Sequence, residues 1–168
     1  MTEPRPTESD HRNSALPLEL LSDTALVAPN GALSIGGVDL AELANRFGTP
    51  LFVYDEEHLR QRCREAISVF GPSGAIYATK AFLCKAMARL AYEEGMRLDV
   101  ATSGEMYVAL QAGVPAEALE LHGNNKSMAE LEQALHAGVG RIVVDSFDEL
   151  TRIESLVAAG CATPKVLL

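Results

Sequence analysis

The sequence predicts an α/β chain of the (β/α)8 TIM-type barrel class, and three observations carry that prediction. Apolar runs at Ala75–Ala78, Arg97–Val100, Leu119–Leu121, Arg141–Val144 and Lys165–Leu168 recur at roughly 22-residue intervals, each followed by an amphipathic stretch. The pairs Thr102 with Glu105, Ser127 with Glu130 and Ser146 with Glu149 fit the capping box, in which hydroxyl and carboxylate satisfy open amides at a helix start. Gly95, Gly113, Gly138 and Gly160 stand where those helices must end. Continuously apolar strands alternating with helices imply a parallel sheet buried on both faces. An open doubly wound sheet shares that pattern, but uniform repeats without a Gly-rich dinucleotide loop favour the barrel. A whole barrel needs about 250 residues, and this chain ends in its fifth apolar run at Leu168. The expectation is a barrel truncated after about five strands.

Taken in order, residues 1–15 are polar, bear Pro4 and Pro6, and read as a disordered tail. Residues 16–48 form an irregular N-terminal segment with turns at Pro29-Asn30-Gly31 and Gly36-Gly37 and a short strand between. Leu40, Leu43, Ala44 and Phe47 then mark a short helix closed by Gly48. Residues 49–168 are the partial barrel. Leu51–Tyr54 reads as a strand, and Asp55 caps a helix with Leu59, Cys63, Ala66, Ile67 and Phe70 on one face. Later helices carry Leu83, Met87, Leu90 and Ala91; Met106, Ala109 and Leu110; and Met128, Leu131 and Leu135.

Composition narrows the function classes. A net charge of −9 argues against nucleic-acid and anionic-membrane partners. No apolar run reaches membrane-span length, and the N-terminus is unlike a signal peptide. Cys63, Cys84 and Cys161 have neither disulfide-framework nor zinc spacing, which fits a reducing cytoplasm and no metal site. Asn125-Lys126-Ser127 superficially resembles the end of a phosphate-binding P-loop, but Asn125 and Glu120 occupy its glycine positions. Glu56, Glu57, Glu93 and Glu94 read as solvated helix charges.

In βα folds the chemistry gathers at the carboxyl ends of the strands. Lys80 stands at such an end, where partial desolvation makes an amine nucleophilic; a lysine snorkelling to solvent is the plainer reading. Asp99 either balances charge near Lys80 or shapes the turn. Glu105 fits a capping role. His122 is placed to touch a ring or phosphate, or is structural, and Asn124 and Asn125 suit a turn whatever the function.

Gly48-Thr49-Pro50-Leu51-Phe52-Val53-Tyr54-Asp55, Tyr77-Ala78-Thr79-Lys80-Ala81, Leu98-Asp99-Val100-Ala101-Thr102-Ser103-Gly104-Glu105, His122-Gly123-Asn124-Asn125-Lys126-Ser127 and Val143-Val144-Asp145-Ser146 occur in that order. The set resembles diaminopimelate decarboxylases, the asparagine-rich run being similar to the actinobacterial type. The resemblance covers about residues 31–168. It implies a pyridoxal 5'-phosphate enzyme with an alanine-racemase-like barrel and a β-sandwich domain, one strand of which falls within Ala32–Val38. It further implies that Lys80 bonds the cofactor, that Asp99, Glu105 and His122 lie near it, and that the enzyme is a homodimer. The substrate is then a small amino acid, meso-2,6-diaminopimelate, converted to L-lysine and carbon dioxide. The family's glycine-rich phosphate loop, its ring-facing glutamate and its substrate-binding arginines and tyrosines are missing from these residues. The 168-residue chain is therefore expected to be inactive alone. Two other classes remain: a decarboxylase or racemase of another basic amino acid, and a non-catalytic pyridoxal-phosphate-binding protein.

Overall fold

The computed structural model describes residues 17–72 and 74–168; the expected tail at residues 1–15 lies outside them. The chain divides into two compact units, one ending at Arg62 and one spanning Cys63–Leu168.

In the first unit, β1 (Leu26–Val27), β2 (Leu33–Ile35) and β3 (Val38–Asp39) form an antiparallel sheet in that order, in register Leu26 with Ser34 and Ile35 with Val38. The β2–β3 turn is Gly36-Gly37, at φ 59° and 79°, a left-handed conformation that glycine adopts without a Cβ clash. Strand β2 lies inside the Ala32–Val38 window. Asp39 accepts hydrogen bonds from the amides of Ala41 and Glu42 and so caps helix α1 (Leu40–Phe47), which Gly48 ends at φ 83°. The expected strand at Leu51–Tyr54 does not form. The segment pairs with no strand among the described residues, and Phe52 is 87% exposed. Its apolar run resembled a buried strand, but a strand needs a neighbour for its amides and carbonyls. Helix α2 (Glu56–Phe70) begins as expected, the amide of His58 donating to Asp55 Oδ1 at 3.2 Å.

The second unit is the βα repeat. β4 (Ile76–Ala78), α3 (Lys85–Glu93), β5 (Arg97–Val100), α4 (Ser103–Gln111), β6 (Leu119–Leu121), α5 (Met128–Ala137), β7 (Arg141–Val143), α6 (Phe147–Ala158) and β8 (Val166–Leu167) alternate, and the five strands form one parallel sheet in sequence order. All five expected strands are present. The capping boxes of α4 and α5 are complete, and Gly95, Gly113, Gly138 and Gly160 all take positive φ. Glu94 is not a freely solvated charge: Arg64 Nε meets its Oε2 at 2.7 Å.

The two faces of the sheet differ. Leu98, Val100, Leu119, Leu121 and Ile142 are fully buried, and with Met87, Ala88, Met106, Ala109, Leu131 and Ala134 of the helices they make the core. The alternate residues face the other way, and the expectation of two apolar faces fails there. Arg97, Glu120 and Arg141 come together across β5, β6 and β7, with Glu120 Oε1 at 2.8 Å from Arg97 Nε and 3.4 Å from Arg141 Nη1. Glu120 is only 3% exposed, so two guanidinium groups compensate one buried carboxylate. Arg97 Nη2 also donates to the carbonyl of Glu117 at 2.9 Å.

Gly140 lies under that contact. A Cβ there would overlap the Glu117 carbonyl and come within 2.5 Å of Arg97 Nη2. Gly140→Ala is expected to destabilise the full-length protein by about 1–3 kcal/mol, seen as a lower thermal midpoint. Gly104→Ala, whose Cβ would meet nothing nearer than 3.8 Å, is the control and should leave the midpoint within about 1 kcal/mol of the parent.

Candidate active site

Parallel pairing gathers the carboxyl ends of β4, β5, β6 and β7 at one edge of the sheet. After β4 the backbone tightens into a 3₁₀ turn at Thr79–Ala81. Thr79 is buried, and its hydroxyl donates to the carbonyl of Asp99 at 2.8 Å, tying the turn to β5. Lys80 follows immediately and is exposed; among the described residues its amine has no hydrogen bond or ion pair.

Asp99 pairs with Ala78 on one side and Glu120 on the other. Its carboxylate lies 3.5 Å from His122 Nδ1, and that imidazole, at the end of β6, is 56% exposed. The amide of His122 continues the ladder onto the Val100 carbonyl at 2.8 Å. Gly123 follows at φ 100°, so close to the Ala101 carbonyl that a Cβ would sit 3.3 Å from it. The positive φ favours glycine there, and the tight approach to the carbonyl adds to that preference.

Lys80, Asp99 and His122 thus occupy three adjacent strand ends. Glu105 is engaged within its own turn. Its Oε2 accepts from the amides of Ala101 at 2.7 Å and Thr102 at 3.1 Å, while the Thr102 hydroxyl receives the Glu105 amide. The carboxylate holds the turn after β5 and is engaged in the α4 cap.

Sequence reasoning missed two residues. Lys126 and Glu149 form a buried ion pair at 2.7 Å, their side chains 1% and 7% exposed. The third capping motif concealed it: Ser146 does receive the Glu149 amide, but Glu149 Oε2 accepts from Asp145 rather than closing the box. The sequence signal was a lysine in the loop after β6 and a glutamate in the first turn of the helix after β7.

Comparison with known proteins decides the family. Residues 56–168 match the family model for the pyridoxal-binding domain of pyridoxal-dependent decarboxylases. The chain belongs to this family. It is 49% identical over 139 residues to the diaminopimelate decarboxylase of Mycobacterium tuberculosis strain H37Rv, covering 82% of the chain and 31% of that protein. Against the diaminopimelate decarboxylase of Bacillus subtilis strain 168 it is 46% identical, covering 81% and 32%. Among solved structures it is similar to the M. jannaschii diaminopimelate decarboxylase in co-complex with L-lysine, at TM-score 0.73 and 32% identity, covering 82% of the chain and 33% of the other. The lysine/ornithine decarboxylase from Vibrio vulnificus complexed with cadaverine gives TM-score 0.66 at 26% identity, covering 76% and 34%. The chain therefore spans about a third of the length of the relatives it matches, and its parallel sheet is that of the βα-barrel decarboxylases.

The family's cofactor is pyridoxal phosphate, and the donor set fits it. An aldehyde cofactor needs an amine that is not already engaged, and the four lysines differ sharply in that respect. Lys126 is buried in an ion pair. Lys165 precedes β8 at the amino edge of the sheet, and Lys85 opens α3, five residues beyond Lys80 in the connection that leaves β4. Lys80, exposed and unengaged among the described residues, follows β4 directly at the carboxyl edge.

Glu130 joins two of the site loops: its Oε2 accepts from the Ser127 amide at 3.0 Å and its Oε1 from the Ser103 amide at 3.3 Å. The Ser127 amide, then the Ser127 hydroxyl, hold the carboxyl below its ordinary value of 4.5, against the opposing effect of burial, with further help from the Ser103 amide and the Lys126 charge. A carboxyl depressed in the folded state binds fewer protons there than when unfolded. Its stabilisation is present above pH 4.5 and is lost as the pH falls through the lowered folded value. Urea midpoints of the parent and of Glu130→Gln should accordingly differ at pH 7 and converge toward the acid side. A gap that stays constant with pH would show that the carboxylate does not carry the bridge.

Proposed function

We propose that this protein works as a decarboxylase of meso-2,6-diaminopimelate, releasing L-lysine and carbon dioxide with pyridoxal phosphate as cofactor, in lysine biosynthesis. The unengaged Lys80 amine at the carboxyl edge, beside the Asp99–His122 pair, is the observation that carries the reading. Identities of 46% and 49% to diaminopimelate decarboxylases support that substrate over the alternative of another basic amino acid, for which the relative is 26% identical.

When bound, pyridoxal phosphate supplies an aldehyde that captures amines and a ring that takes up the electron pair left as carbon dioxide departs. Lys80 is the residue that bonds it, and the Thr79 anchor on the Asp99 carbonyl fixes where its side chain starts. The His122 ring offers a flat face to an aromatic group, and Asp99 orients it through Nδ1. Glu105 acts one step back, holding the Ala101-Thr102 turn behind Asp99.

Two further parts complete the reading. The family resemblance supports a homodimer, which light scattering of the full-length protein checks. A cytoplasmic location is supported by three free cysteines among the described residues and by no described helix being long and apolar enough to cross a membrane.

Borohydride reduction of the full-length holoprotein followed by peptide mapping should place the phosphopyridoxyl label on Lys80. Label on Lys85 or Lys126 would refute the assignment. Lys80→Ala should lower lysine release from meso-diaminopimelate by roughly 10²–10⁴-fold, with ornithine and lysine as the substrates that test the alternative.

A further inference from the structure

The loop His122–Ser127 has an unusual construction. Its tip is exposed: His122, Asn124 and Asn125 all face solvent, and the two asparagine side chains make no hydrogen bond among the described residues. Its root is among the most buried polar points of the chain. The Lys126 ammonium donates to the carbonyl of Gly123, to the carbonyl of Val143 at 2.8 Å, and meets Glu149 Oε1 at 2.7 Å. The ammonium thus has two carbonyl acceptors, in the loop itself and at the end of β7, and a counter-charge in the first turn of α6. Glu149 passes the constraint on, accepting the Asp145 amide through Oε2 at 2.9 Å. Arg152 Nη1 closes the other side by donating to the Lys126 carbonyl at 3.0 Å.

Such a pair is a costly way to gain stability, because desolvating two charges offsets most of their attraction; apolar replacements of similar size are often as stable. What an apolar pair lacks is direction. We propose that Lys126 and Glu149 are positioning residues which hold the His122–Asn125 tip in one register, so that His122 and the two asparagine amides meet the bound cofactor and substrate. This rests on the pyridoxal-phosphate reading of the Lys80 edge. Neither residue touches the reacting groups; both act through the loop.

The test uses the full-length holoprotein and the double variant Lys126→Met/Glu149→Met, which removes both charges together and leaves no buried ion unpaired. It should unfold cooperatively near the parent temperature. Hydrogen exchange of the amides in peptides spanning His122–Ser127 should accelerate at least about tenfold, with the core strands unchanged. The Kd for pyridoxal phosphate, read by absorbance, and the KM should each rise at least about tenfold, while kcat stays within about threefold, because a loosened loop loses binding shared by ground and transition states. Parental exchange and parental Kd in the folded double variant would overturn the proposal. If the double variant does not fold, Glu149→Gln carries the test: its single carbonyl oxygen replaces only one of the two carboxylate acceptors and the charge facing Lys126 is lost, and parental loop exchange there would overturn the proposal equally. If the parent binds pyridoxal phosphate yet releases no lysine from meso-diaminopimelate, the substrate reading fails while the exchange and Kd measurements still decide this proposal.

Discussion

Parallel strand pairing is the constraint on which everything else in the second unit depends. Each strand of the β4–β8 sheet must be followed by a helix that returns the chain to the same starting edge. The carboxyl ends therefore lie along one edge, and residues 20 or more apart in sequence become neighbours. Ala78, Asp99, Glu120 and Arg141 fall on one cross-strand line, which puts the turn bearing Lys80 next to Asp99 and Asp99 next to the strand that ends at His122. No local feature of any one strand could assemble that group.

The helix-facing side of the sheet pays the energetic cost of this order, with Leu98, Leu119, Leu121 and Ile142 fully withdrawn from water. The opposite side is organised by charge. Glu120 between Arg97 and Arg141 fixes the lateral spacing of three strands at their amino-terminal half. Nearer the carboxyl end the Asp99 carboxylate faces the His122 imidazole, and Lys126 meets Glu149 between the loop after β6 and α6. Such a pair adds direction to the register that the buried apolar face already sets. The contrast between two lysines shows how the arrangement separates framework from chemistry: Lys126 is held beneath a loop by two carbonyls and a counter-charge, while Lys80 has no partner among the described residues at the edge.

What was legible in the sequence was whatever is encoded locally. Strand hydrophobicity, the boxes at Thr102 and Ser127 and the four helix-ending glycines depend on a few adjacent residues, and each is present as read. The candidate site was legible so far as strand ends can be located, which places Lys80, Asp99 and His122. Leu51–Tyr54 was misread because whether an apolar run becomes a strand depends on a partner that its own residues do not specify. The Lys126–Glu149 pair was hidden for a related reason: its residues are 23 positions apart, and Glu149 fitted a capping pattern that accounted for it fully at the sequence level. The charged face of the sheet was missed because Arg97 and Arg141 open apolar runs and looked like strand boundaries, when alternation in fact aims them at Glu120.

The most direct test is a crystal structure of the full-length protein grown with pyridoxal phosphate. The account predicts continuous density from the cofactor to Lys80 Nζ, with the ring between the carboxyl ends of β4 and β6 and the His122 side chain against it. Density joined to another lysine, or a cofactor seated at the opposite edge of the sheet beside Arg141 and Lys165, would contradict it.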